Sequence, residues 1–215
     1  MKCEYCNKEF KSVERLSTHM CEKKRRWMHK DDPETIAGFV AFDMFYRYGM
    51  KSTPRKFEDF VGSKFYSSFV KFGSYCVNVG VIDVDTYIHW LIKNSVKLNK
   101  WASDEMYMKF VQYYLKKERV ERALERFVIH ASKTTYFDTF WETASGYLIA
   151  NWVETGKISP WVIMCSDRAK AAISKMNKEQ LDKVAANLDV DYWVRKIQKN
   201  PSDEKWVREI IDGDK

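Results

Sequence analysis

Three of the five cysteines, Cys3, Cys6 and Cys21, fall within the first 21 residues, with His19 two positions before the last of them. No other feature constrains the chain as much. An odd number of cysteines bunched in a polar segment suits reduced thiols around a metal ion better than a disulfide framework. The remaining two, Cys76 and Cys165, lie far apart in apolar stretches, where a free cysteine is expected to be a small buried hydrophobe.

The spacing Cys3-x2-Cys6-x3-Phe10-x5-Leu16-x2-His19 resembles the first three-quarters of a C2H2 zinc finger, both apolar core positions included. The resemblance implies a small ββα unit. Two thiolates sit on the knuckle of a hairpin turning through Asn7-Lys8, and a helix brings the imidazole to the same Zn2+. Phe10 and Leu16 form the core, and metal binding supplies the folding energy of so small a segment.

The departure from the family lies at the fourth ligand. A histidine is expected after three to five residues that follow His19, but positions 23–25 are Lys-Lys-Arg. Cys21 is the preferred fourth ligand because it closes the smaller loop, which makes the site C2HC; His29 is the alternative. Residues two apart on a helix point in nearly opposite directions, so Cys21 can serve only if the helix ends or tightens at Met20. The finger also lacks the aromatic residue that precedes the first cysteine in the family. Laid on the family's recognition helix, the base-facing positions are Ser12, Arg15 and Thr18, with Glu14 beside them, and Arg15 suits guanine. One finger covers about three base pairs, so sequence-specific reading would need further contacts. Residues 1–30, and His19 to Trp27 in particular, also resemble small zinc-finger proteins of large tailed bacteriophages. That resemblance implies the cytoplasm of an infected bacterium and assigns no activity.

Charge marks the same segment. The net charge is +7, and residues 1–30 hold nine Lys and Arg against four Glu, whereas residues 31–215 hold 28 basic and 26 acidic side chains. Lys23-Lys24-Arg25-Arg26 with Lys30 is the densest basic cluster, suited to phosphate backbones through counterion release. The plainer reading is a solvated helix end, where cations also meet the negative pole of the dipole. Trp27 is either a stacking face for a base or a plug between the finger and the rest of the chain.

Beyond residue 30 the sequence reads as an all-α body, giving two expected domains, 1–30 and 31–215. Asp31-Asp32-Pro33-Glu34 is a helix start, and Ile36, Phe39, Val40 and Met44 follow at helical spacing to Gly49. Further starts are expected at Ser52-Thr53-Pro54, at Asp83 or Asp85, at Asp138, at Ser159-Pro160, at Asn177 with Gln180 as a capping box, near Asp189–Asp191 and at Ser202. Ser103-Asp104-Glu105 opens the longest expected helix, running to about Ala131, with Glu118 and Arg122 paired on its outer face. Residues 77–84, rich in valine, are the best candidate for extended structure, though a helix end fits as well.

With 45% apolar and 31% charged residues the composition is that of a globular protein. The longest uncharged runs, residues 72–82 and 143–153, have 11 residues each, well short of the roughly 20 needed to span a bilayer. A polar amino terminus argues against secretion, so a reducing intracellular compartment and no membrane partner are expected. The 33 aromatic residues are expected mainly in the core, and the densest stretch runs from Tyr136 to Trp141, with Tyr147 and Trp152 after it.

No phosphate-binding glycine loop, zinc-protease helix or serine elbow is present. The only histidines of the body, His89 and His130, sit in apolar helices, and Asp138 and Glu142 lie one helical turn apart. No catalytic residue is therefore assigned. The leading expectation is a non-catalytic, zinc-stabilised accessory protein that binds nucleic acid, DNA before RNA. An adaptor for a protein machine such as a polymerase is the second, and an enzyme on nucleic acid with the finger as docking module the third.

Overall fold

The computed structural model describes residues 1–134 and 136–213 and is mostly helical. The chain forms two compact units, Met1–Met106 and Tyr107–Lys215. Residues 1–30 belong to the first, and the helical chain after residue 31 is divided between the two, at a boundary that no change of composition or turn signal marks.

The first unit contains α1 (Val13–Ser17), α2 (Glu22–Met28), α3 (Pro33–Met44), α4 (Phe57–Gly62), α5 (Tyr66–Val79) and α6 (Val84–Lys93). A π-helical turn, Phe45–Gly49, continues α3, and a 3-10 turn, Leu98–Lys100, follows α6. Pro33 at the first position of α3 is the expected start, and Asp83 caps α6 by accepting from the Thr86 N–H at 3.0 Å. The valine-rich stretch is a helix end: α5 stops at Gly80, whose φ of +66° is a left-handed cap favouring glycine.

Helices α3 and α5 meet through two glycines. A Cβ on Gly73 would lie 2.0 Å from the Glu34 carbonyl oxygen, and one on Gly38 would lie 2.8 Å from that of Phe69. The backbones thus touch where any side chain would separate them. Around this contact the aromatic residues form a continuous core. Phe42 lies 5.2 Å from Phe60 and 5.5 Å from Phe69 between ring centroids, and Phe72 lies 5.3 Å from Trp101. Trp101 is buried, donating its indole N–H to the Val96 carbonyl at 2.9 Å, while the Tyr87 hydroxyl donates to the Trp101 carbonyl at 3.1 Å.

The second unit takes most of α7 (Asp104–Lys117) and all of α8 (Val120–Thr134), α9 (Phe140–Thr143), α10 (Gly146–Glu154), α11 (Pro160–Cys165), α12 (Asp167–Ile173), α13 (Lys178–Ala186), α14 (Val190–Gln198) and α15 (Pro201–Asp212). The single long helix expected from Ser103 to about Ala131 is two helices broken at Glu118-Arg119. Glu118 pairs with Arg126 and does not stand on the outer face. It turns inward, 1% exposed, and takes both terminal nitrogens of Arg126, which also donates to the Gly156 carbonyl at 2.8 Å. Arg122 pairs with Glu125 at 3.0 Å. A buried carboxylate needs its charge and lone pairs met, and the break lets Glu118 reach Arg126. Asn177 and Gln180 form the expected capping box of α13, and Ser159 and Asp189 cap α11 and α14.

Of the aromatic run, Phe140, Trp141 and Trp152 are buried and Phe127 stacks on Trp141 at 5.2 Å, whereas Tyr136 and Tyr147 are exposed. Cys76 and Cys165 are buried free cysteines, and burial pushes both thiols up to about 12. No helix among the described residues is long and apolar enough to cross a membrane.

Candidate metal centre

The segment before α1 is not the ββ hairpin that the finger pattern implies. Among the described residues its arms pair at one isolated antiparallel bridge, Lys2 with Glu9, flanked by Phe10 N–H to Met1 carbonyl at 2.8 Å and Cys3 N–H to Lys8 carbonyl at 2.9 Å. These two bonds, with the Met1 amino group donating to the Phe10 carbonyl at 3.0 Å, hold the turn but are too few for a ladder, because the chain bends at Lys11-Ser12 into α1. The knuckle itself is as expected. Asn7 adopts a φ of +58°, a left-handed conformation that asparagine tolerates, and its N–H donates to the Cys3 carbonyl at 2.8 Å.

Helix α1 is five residues long and ends at Ser17, so His19 lies past the helix and not on it. Thr18 is the C-cap, and its hydroxyl donates to the Glu14 carbonyl at 2.9 Å. This early end removes the conflict of helical direction between His19 and Cys21. Cys21 then becomes the N-cap of α2, its sulfur accepting the Lys24 N–H at 3.4 Å.

The result is a group of four side chains, Cys3, Cys6, His19 and Cys21, whose ligand atoms all lie within 4.8 Å of one another. Cys3 Sγ stands 4.0 Å from Cys21 Sγ, and Cys6 Sγ stands 3.3 Å from His19 Nε2. A tetrahedral Zn2+ with its usual bond lengths would set sulfurs about 3.8 Å apart and a sulfur about 3.5 Å from a nitrogen. The group thus fits a metal ion, with zinc plausible from its three sulfurs and one nitrogen.

The His19 ring is held in place by Phe10, 4.6 Å away between centroids, with Leu16 half-buried nearby in the chain. Burial alone would raise the Cys3 thiol, but the Cys6 and Tyr5 backbone N–H groups and the neighbouring sulfurs hold it below its ordinary value. For Cys6 the balance reverses: the Lys8 N–H favours the thiolate, while burial and the other two thiols outweigh it and raise the group. His29, the alternative ligand, is not part of the group; its Nδ1 lies 2.8 Å from Asp32 Oδ2.

The basic and aromatic side chains divide into two sets. Arg26 faces inward, donating to the Val61 carbonyl at 2.8 Å and the Ser63 carbonyl at 3.0 Å, with its guanidinium 4.5 Å from the centre of the Tyr66 ring. Trp27 is half-buried between Tyr5 and Phe57, at 6.1 and 5.4 Å. Arg26 and Trp27 fasten α2 to α4 and α5. Lys23, Arg25 and Lys30 are exposed and Lys24 half-buried, with Arg25 near Glu22 at 3.5 Å and Lys30 beside the Trp27 ring at 5.8 Å. Of the expected base-facing residues, Ser12 is the half-buried N-cap of α1 and accepts from the Arg15 N–H at 3.4 Å. Thr18 is likewise engaged with the backbone, and Arg15 is exposed.

Of the body's residues with catalytic side-chain types, His89, Asp138 and Glu142 are exposed and His130 is half-buried. The His89 ring lies 4.5 Å from Tyr48 and its Nδ1 lies 3.0 Å from the Asp85 carbonyl. His130 lies 5.7 Å from Trp152. Glu142 takes Arg168, which also donates to the Asp138 carbonyl, and the Arg168 hydrogen bond holds the Glu142 carboxyl below its ordinary value. Among the described residues, Cys3, Cys6, His19 and Cys21 are the one group of three or more His, Cys, Asp or Glu suited to a metal ion. Set against family models, curated proteins and solved structures, the chain matches none of them.

Proposed function

We propose that the chain is a zinc-stabilised accessory protein that binds nucleic acid, directed to DNA, with no chemistry of its own. The observation that carries this reading is the joint role of Cys21, a member of the metal group and the N-cap of the basic helix α2. A metal held by Cys3, Cys6, His19 and Cys21 would fix the start of α2, while Arg26 and Trp27 fix its inner face. The cations left outward, Lys23, Lys24 and Arg25 with Lys30 after them, are then displayed on a rigid support without the entropy cost of ordering a loose tail. Arg15, exposed on α1, adds a guanidinium able to address guanine.

The test is the salt dependence of duplex DNA binding by zinc-loaded protein. Changing Lys23, Lys24 and Arg25 together to glutamine should flatten the logarithmic salt slope by about 0.9 for each phosphate that is no longer neutralised. Absence of binding to DNA and RNA at low salt would overturn the reading. A second reading, an adaptor for a protein machine such as a polymerase, is favoured by Val13, Met20 and Met28, three exposed apolar side chains of the finger at 63, 49 and 64% exposure.

A further inference from the structure

Residues 45–56, Phe-Tyr-Arg-Tyr-Gly-Met-Lys-Ser-Thr-Pro-Arg-Lys, hold four basic side chains, three aromatic ones and no acid. The expected helix start at Ser52-Thr53-Pro54 does not form, and α4 begins only at Phe57. Instead the stretch is folded back on itself. The Ser52 N–H donates to the Tyr46 carbonyl at 3.1 Å, and the Arg55 N–H donates to Asp43 Oδ1 at 2.7 Å. Asp43 also takes the Arg47 guanidinium on its other oxygen, so one carboxylate positions both arginines.

The side chains pair as cation and ring. The Arg47 guanidinium lies 5.3 Å from the Tyr48 ring centre, and that of Arg55 lies 4.6 Å from Tyr46. Tyr48 also meets the exposed His89 ring at 4.5 Å, yet is 49% exposed, with Met50 beyond it 63% exposed. Core aromatics are covered, and this one is not. Arg55 has no carboxylate partner for its side chain among the described residues, and its Nε is buried without a hydrogen bond. Among the described residues, the acids in contact with this cluster are Asp43, committed as above, Asp59, which accepts the Lys56 N–H at 3.0 Å, and Asp85, which presents its backbone carbonyl to His89.

We propose that residues 45–56 with His89 form a binding surface for single-stranded nucleic acid, in which a base stacks on Tyr48 and phosphates are met by Arg47, Lys51 and Arg55. An exposed ring beside guanidiniums offers a π-face and positive charge at once, the combination that unpaired bases and their backbone require. A duplex has no free base face to give such a ring. The surface shares only its class of ligand with the function proposed above and uses none of the finger's residues.

The experiment uses the full zinc-loaded chain and a labelled oligo-dT strand, with fluorescence anisotropy for affinity and ultraviolet cross-linking with peptide mapping for location. Tyr48→Ala should weaken oligo-dT binding about ten-fold or more, Tyr48→Phe should retain it, and Arg55→Gln should lower the salt slope by about 0.7. Cross-links should map to the peptide containing Tyr46 and Tyr48. Unchanged oligo-dT affinity in Tyr48→Ala, or cross-links confined to other peptides, would overturn the proposal. So would a Tyr48-dependent affinity for phosphatidylserine vesicles without affinity for the strand. The Lys23, Lys24, Arg25 triple variant separates this surface from the finger. If it abolishes duplex binding while Tyr48→Ala leaves oligo-dT binding intact, the finger reading stands and this surface fails. Loss of oligo-dT binding in Tyr48→Ala alone, with duplex binding absent in every protein, gives the converse.

Discussion

Arg26 donates to the backbone carbonyl of Val61 across 35 positions of sequence, at 2.8 Å. The most prominent basic run of the chain therefore contributes one of its four cations to holding α2 on α4. Arg26→Ala should destabilise the first unit by about 1.5–3 kcal/mol, the usual worth of hydrogen bonds from a charged group. Arg26→Lys should recover less than half, since one ammonium cannot meet the Val61 and Ser63 carbonyls, as Nη1 does, while also bonding Glu22, as Nε does, and facing the Tyr66 ring. Thermal melts report the destabilisation, and the salt slope of DNA binding should stay unchanged.

The metal group predicts one zinc per chain. Cys6→Ser and Cys21→Ser proteins should each lose it, whereas His29→Ala should keep it, because His29 is held by Asp32 outside the group. Elemental analysis decides the count. Hydrogen exchange after chelation should show residues 1–30 losing protection while α3, α5 and α6, which have their own aromatic core, retain it.

Gly73→Ala places a methyl group where only 2.0 Å separates it from the Glu34 carbonyl oxygen. Backbone cannot yield as a flexible side chain does, so the substitution should force α3 and α5 apart. A cost of about 3 kcal/mol, the upper part of the overpacking range, is expected in urea unfolding. A destabilisation below about 1 kcal/mol, the bottom of that range, would show that the helices separate without penalty.

His130 carries a pH dependence. Burial first, then Lys157, Lys133 and Arg126, disfavours its charged form and holds its pKa below the ordinary 6.5. The unfolded chain thus takes up a proton below about pH 6.5 that the folded chain accepts only at lower pH. Stability is fully present above the unfolded value and is lost as pH falls through the folded one. His130→Gln should flatten the decline in unfolding free energy as pH falls below about 6.5, and denaturant melts at several pH values measure this.

The local events were legible in the sequence. Cys3, Cys6 and His19 carried their ligand spacing, Asn177 and Gln180 their capping box, and Pro33 and Pro160 their helix starts, because each depends on neighbours a few residues away. Gly80 was ambiguous for the same reason, since a valine-rich stretch before a glycine suits either a strand or a helix end. Which charges stay outward is set by long-range packing. Arg26 and Glu118 read as surface residues at helical spacing, yet each is turned inward by a partner that sequence distance hides: the Val61 carbonyl for one, and Arg126 across a helix break for the other. Gly38 and Gly73 carried no local signal either, since their role is to let two backbones touch. Periodicity records which face of a helix is apolar, but long-range packing sets what that face meets and whether a polar group on it must be satisfied there.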